Sequence, residues 1–188
     1  MGVVAAALNR EGSLGPAPGR RSRGELVLEA LDHAAAAAAA EALSDLDPDA
    51  YRTFNLIVAD ARDGFWLRHA GGARVELRPL AAGLSLIAAG DLDDLTTRRL
   101  ELAKPAFSAW PVPDPDRDDW TGWEALLGSS VAPRGEPATA AMRFRTGGYG
   151  TVSSALIALP SGGDADRPAR FRLAGWQPEP TPWREVSL

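Results

Sequence analysis

Apolar residues run unbroken from Val3 to Leu8 and stop at Asn9-Arg10-Glu11-Gly12, the pattern of a strand buried on both faces and followed by a turn. A Gly/Pro loop then fills Gly12 to Arg21. Ser22-Arg23-Gly24-Glu25 has capping-box spacing, in which a serine hydroxyl and a glutamate carboxylate satisfy helix amides that have no partner of their own. The spacing predicts one long helix ending near Leu43, with Leu26, Val27, Ala30 and Leu31 as its apolar stripe and Ala34 to Ala40 as a smooth packing surface. Asp47-Pro48 reads as a cap and first helical residue of one short turn.

From Phe54 the period changes. Phe54 to Asp60, Gly64 to His69 and Ala73 to Leu80 read as strands joined by turns at Asp60-Ala61-Arg62-Asp63 and Gly71-Gly72, an antiparallel meander. Leu84 to Ala89 adds a further strand, and Leu95 to Ala103 a helix that Pro105 stops. Trp110 to Pro115 is a loop. Asp118 or Asp119 caps a helix through Leu127 that buries Trp120, Trp123, Leu126 and Leu127, and Ser129 to Pro137 is a linker. Ala140 to Phe144, Thr151 to Leu159 and Ala169 to Ala174 supply three more strands, broken at Gly147-Gly148 and at Ser161-Gly162-Gly163-Asp164. Strands and helices without regular βαβ alternation make an α+β protein with antiparallel sheets covered by helices.

Composition narrows the chemistry. A chain of 188 residues with 45% hydrophobic and 24% charged positions suits a single domain over residues 1–188. A net charge of −5 leaves no basic field to draw nucleic acid or an acidic membrane surface. Without cysteine there is no disulfide, thiolate metal site or thiol nucleophile. The apolar opening is too short to insert in a membrane, no basic segment precedes it, and Ala6 stands where a myristoylation motif needs Ser or Thr, so a cytoplasmic location is expected. A chain rarely opens inside a core, which leads us to expect further strands ahead of Met1.

Several motifs reduce to ordinary structure. Gly15-Pro16-Ala17-Pro18-Gly19-Arg20-Arg21-Ser22 has the wrong spacing for a phosphate loop, and its two prolines delete amides that would cradle the anion. Asp114, Asp116 and Asp118 alternate like calcium ligands, but Asp119 and Ala125 occupy the required glycine and carboxylate positions. Glu29 and His33 lie one helical turn apart, two ligands short of a metal site, and His69 lies near a hairpin turn. The tryptophans suit core packing better than base stacking. No Gly-x-Ser-x-Gly elbow is present, and Ser153-Ser154 falls within a strand.

Four segments, in order, resemble the NRDE family, whose members resemble transport and Golgi organisation protein 2. They are Gly2 to Arg10, Ser22 to Val27, Phe54 to Asp60, and Tyr149-Gly150-Thr151-Val152-Ser153-Ser154. The resemblance implies an N-terminal-nucleophile-hydrolase-like fold of stacked antiparallel sheets between helical layers, here without its N-terminal strands. In such enzymes a residue exposed by loss of the initiator methionine attacks an amide, and in this family that residue is usually cysteine.

Three departures argue against hydrolysis. The family's Met-Cys strand and Asn-Arg-Asp-Glu segment are missing, and Gly2 has nothing to attack with. Ser85-Leu86 replaces a Ser-Asn pair, and Leu86 cannot donate a hydrogen bond. Val152 replaces an arginine. The resemblance therefore implies a non-catalytic protein that binds or traffics haem or a related small ligand, with Asn9, Arg10, Ser22, Arg23, Asn55, Tyr149, Thr151 and Ser153 as ligand-binding candidates and no metal site. Arg10 and Arg23 suit a carboxylate or propionate, and His33 and His69 are candidates for contact with haem iron. The alternatives are a cysteine amidase whose true start lies upstream and an incomplete, non-functional fragment.

Overall fold

The computed structural model describes residues 2–160 and 167–187, so the turn expected at Ser161 to Asp164 lies outside the described residues. They form a mixed α+β structure with antiparallel sheets and four α-helices, in two compact units, residues 2–94 and residues 95–160 with 167–187. No helix among them is long and apolar enough to cross a membrane.

The first unit is a four-stranded antiparallel meander in chain order: β1 (Val4–Asn9), β2 (Phe54–Ala59), β3 (Gly64–His69) and β4 (Glu76–Pro79). The β2–β3 hairpin forms where two β-rich stretches flank a turn-forming segment. Asp60 closes it by accepting the amides of Arg62 and Asp63. Strand period places Phe54, Leu56 and Val58 on one face, where they pack with Leu67 and with Leu26 and Leu43 from the helices. Each such apolar side chain contributes about 1.5–3 kcal/mol on burial.

The long helix is two helices. α1 (Gly24–Leu31) ends as Asp32 and His33 close tight turns on Glu29 and Ala30, and α2 (Ala36–Ser44) begins after an extended Ala35. An alanine run has no side-chain oxygen to cap its own start. The Ala36 amide instead donates to Asp60 Oδ2 at 2.8 Å. α2 then buries Ala36, Ala39, Ala40 and Leu43, small residues that allow close approach to the sheet. The capping box at Ser22 is half realised: Glu25 accepts the Ser22 amide at 3.1 Å, while Ser22 Oγ accepts from Gly24 rather than Glu25.

Two strand expectations in this unit are corrected. β1 is not buried on both faces: among the described residues it pairs only with β2, and Ala6 and Asn9 are exposed. Its apolar run reflects small alanines rather than enclosure. Leu84 to Ala89 forms no strand; its backbone is used singly, as where Glu11 donates to the Ala89 carbonyl.

The second unit contains α3 (Arg98–Ala109), α4 (Thr121–Gly128), a two-residue hairpin β5 (Arg145–Thr146) with β6 (Tyr149–Gly150), and an antiparallel sheet of β7 (Ser153–Ala158), β8 (Arg170–Gly175) and β9 (Arg184–Val186). Pro105 does not stop α3. The helix continues because Leu100, Ala103 and Phe107 share one buried face, which outweighs the single lost amide. Of the residues expected to bury α4, Trp120 is buried and Trp123, Leu126 and Leu127 are half-buried. The strand expected at Ala140 to Phe144 is a short 3-10 turn, Ala138–Ala140, and irregular chain. The acids that mimic a calcium loop cap turns and bind arginines: Asp114 accepts the Asp116 amide, and Asp118 accepts from Arg170 at 2.8 Å.

Candidate ligand-binding site

The loop from Gly12 to Arg21 has little side chain to bury, so its carbonyls seek donors. Gly12 and Gly15 take left-handed φ values of 72° and 82°, turns that a Cβ would strain. Arg52 meets those carbonyls, donating to Gly12 O at 2.7 Å and Leu14 O at 2.8 Å. Arg23, at the start of α1, donates to Ser13 Oγ at 2.8 Å and Thr53 O at 3.0 Å. Loop, helix start and β1 enclose a cavity of about 640 Å³ whose walls include Ala7, Asn9, Ser22, Val27 and four arginines, Arg20, Arg21, Arg23 and Arg52. That is within the range of about 300–1,000 Å³ common for small-molecule sites.

The four arginines differ in how their charge is balanced. Arg21 is paired with Glu25 at 2.8 Å and reaches Glu29 at 4.0 Å, with its guanidinium 5.1 Å from the Tyr51 ring centre. Arg20 meets Asp49 through both its carbonyl and its carboxylate. Arg23 and Arg52 bond only neutral oxygens among the described residues. Burial first, and then repulsion from Arg52, holds the Arg23 guanidinium below the usual arginine range. Arg23 and Arg52 thus line one half-apolar cavity without a carboxylate partner among the described residues, an arrangement whose charge an anion would balance.

Among the expected site residues, Asn9, Ser22 and Arg23 line this cavity. Arg10 and Asn55 lie on the opposite face of the same sheet and bond each other, Nη1 to Oδ1 at 2.8 Å. Asn55, wholly buried, accepts also from Trp66 Nε1 at 3.1 Å and donates to the Ala88 and Gly90 carbonyls. Asp91 joins the cluster through Arg10 at 2.7 Å and Arg68 at 2.8 Å. Burial opposes the Asp91 charge, but these two cations and their hydrogen bonds prevail and lower its pKa. With its bonds taken, Asn55 pins the 88–91 segment to the sheet and leaves nothing for a ligand.

Tyr149, Thr151 and Ser153 belong to the second unit. Tyr149 and Ser153 are exposed, whereas Thr151 donates to the Met142 carbonyl at 3.0 Å and lines a smaller cavity there. His69 is buried against Phe54, and among the described residues its Nδ1 has no hydrogen-bond partner. His33 is half-buried beyond the end of α1. Neither histidine is among the residues lining the arginine cavity. Among the described residues no cluster of three or more His, Cys, Asp or Glu side chains is placed to hold a metal ion.

No protein-family model matches the chain, and no curated protein matches it either.

Sequence reasoning met Arg20 only within the phosphate-loop reading it set aside, and it passed over Arg52. Arg52 stands alone between a turn and a strand and joins the cavity only through folding across about forty residues; the Gly/Pro loop was the legible signal that something had to fill its turns.

Proposed function

We propose that the first unit binds a small amphipathic carboxylate, and that the chain is a non-catalytic NRDE-like protein handling haem or a related ligand. The observation that carries this reading is the pair Arg23 and Arg52, set in a cavity with Ala7 and Val27 and without a carboxylate partner among the described residues. An apolar body would lie against Ala7 and Val27 while its carboxylate accepts from the guanidinium groups. Haem fits through its propionates, with the iron free of histidine because neither imidazole lines the cavity. The NRDE resemblance extends the reading to a fold like that of N-terminal-nucleophile hydrolases, for which the antiparallel meander is the local support.

A hydrolase reading has less behind it. Ser22 Oγ accepts an amide, and Ser13 Oγ is bonded to Arg23 and to the Arg10 and Thr53 carbonyls, so among the described residues neither hydroxyl meets a base. An absorbance titration with haem tests the proposal: a saturable spectral change that Arg23→Gln weakens is expected. No saturable change removes haem, and failure of an aliphatic dicarboxylate to bind as well removes the carboxylate reading altogether.

A further inference from the structure

The second unit holds another set of cations without counter-ions. Most arginines of its sheet and helices meet acids: Arg98 bonds Glu101 and Glu136, Arg170 bonds Asp118 and Glu185, and Arg172 bonds Glu124 at 2.6 Å. Arg99, Arg143 and Arg145 differ, for none of them meets a carboxylate among the described residues. Arg99 donates to the Met142 carbonyl and lies over the Phe144 ring, 5.1 Å from its centre. Arg143 has its guanidinium 5.0 Å from the Trp176 ring centre, and its Nε is sealed from solvent with no hydrogen-bond partner among the described residues.

Arg143 and Arg145 line a cavity of about 300 Å³ with Thr151, Trp176 and Gln177. The pocket wall is built rather than loose. Trp176 Nε1 donates to Ser154 Oγ at 2.9 Å, its ring packs edge-on to Trp183, and Gln177 Nε2 donates to the Thr151 carbonyl at 3.2 Å. The tight β5–β6 hairpin presents Arg145 beside it, and Gly150 allows that hairpin to close because a Cβ there would fall on the Phe144 carbonyl.

We propose that this cavity is a binding site for the phosphate group of a small phosphate monoester. Charge decides between oxyanions. A monocarboxylate would leave one of the two lining cations, Arg143 and Arg145, uncompensated, whereas a phosphate monoester carries about −1.5 to −2 at neutral pH and has three acceptor oxygens. The cavity volume sits at the low end for ligand sites, which restricts the organic part to a few carbons beside Trp176. The site rests on residues of the second unit alone and stands independently of the carboxylate cavity in the first.

Isothermal titration of the full chain with inorganic phosphate, glycerol phosphate and acetate tests the assignment. Both phosphates should bind and acetate should not. Arg143→Gln should weaken phosphate binding by at least about tenfold, and the exposed Arg145→Gln, which leaves the core intact, by about threefold. Arg117→Gln, outside the cavity, should change nothing. Equal affinity of wild type and Arg145→Gln, equal binding of acetate, or saturable binding only to an oligonucleotide or an anionic vesicle would each overturn the proposal.

Discussion

Asn55→Ala removes a side chain whose four hydrogen bonds join three parts of the first unit. On substitution the Gly90 carbonyl keeps its bond from Arg10, and Arg10 keeps Asp91. Ala88 is half-buried, so its carbonyl loses less than a sealed acceptor would. Trp66 Nε1 is the group left stranded, because Trp66 is 3% exposed and Asn55 Oδ1 is its acceptor. One stranded buried donor costs about 1–3 kcal/mol, and the volume lost beneath the 88–91 segment brings the total to about 2–4 kcal/mol. For a chain of this length that corresponds to a fall in Tm of about 5–15 °C. Urea unfolding followed by far-UV circular dichroism measures it directly. A double-mutant cycle with Trp66→Phe assigns the cause: with no indole N–H to strand, the Asn55→Ala cost should drop by about 1 kcal/mol or more. A loss below about 0.5 kcal/mol, or strict additivity in the cycle, would refute the network account.

Other expectations concern caps, turns and protons. Asp60→Ala takes the acceptor from the Ala36, Arg62 and Asp63 amides and should cost about 1–2 kcal/mol, read from the urea midpoint. Gly150→Ala places a methyl group on the Phe144 carbonyl and should destabilise the second unit by about 1–3 kcal/mol; unchanged thermal unfolding would show the hairpin is not that tight. His69 has its pKa lowered by burial first and then by Arg20, with Asp49 opposing and Arg10 adding. The unfolded chain therefore takes that proton first as pH falls. The His69 contribution to stability is complete above about pH 6.5 and is lost as pH drops toward the lower folded value. His69→Phe should flatten the stability curve in that window, and an unaltered slope would count against a buried neutral imidazole.

Much of the first unit could be read from the residues because local and long-range demands agree there. The Phe54 to Asp60 and Gly64 to His69 strands are rich in aromatic and branched apolar residues, and the turn between them is closed by the aspartate that begins it. The break between α1 and α2 was hidden, since an alanine run carries no signal of its own and the cap arrives from Asp60 on a different element. Pro105 misled for the opposite reason: a strong local signal yielded to the burial of Leu100 and Phe107. β9 has three residues and is held by pairing with β8, too short for any period to show. The site was legible in part. Arg23 and Ser22 stood out beside the helix start, but which arginines are neutralised is a matter of tertiary placement that spacing does not encode.

The most direct test of the binding account is calorimetric titration of a small amphipathic carboxylate into wild type, Arg23→Gln and Arg52→Gln, with Arg21→Gln as the comparison. Arg23 and Arg52 each carry an uncompensated charge, so each substitution should weaken binding by about tenfold or more, with affinity falling as salt rises. Arg21 is already neutralised by Glu25 and should matter less. Equal affinities across all four proteins would contradict the claim that two unpaired guanidiniums make the cavity a receptor.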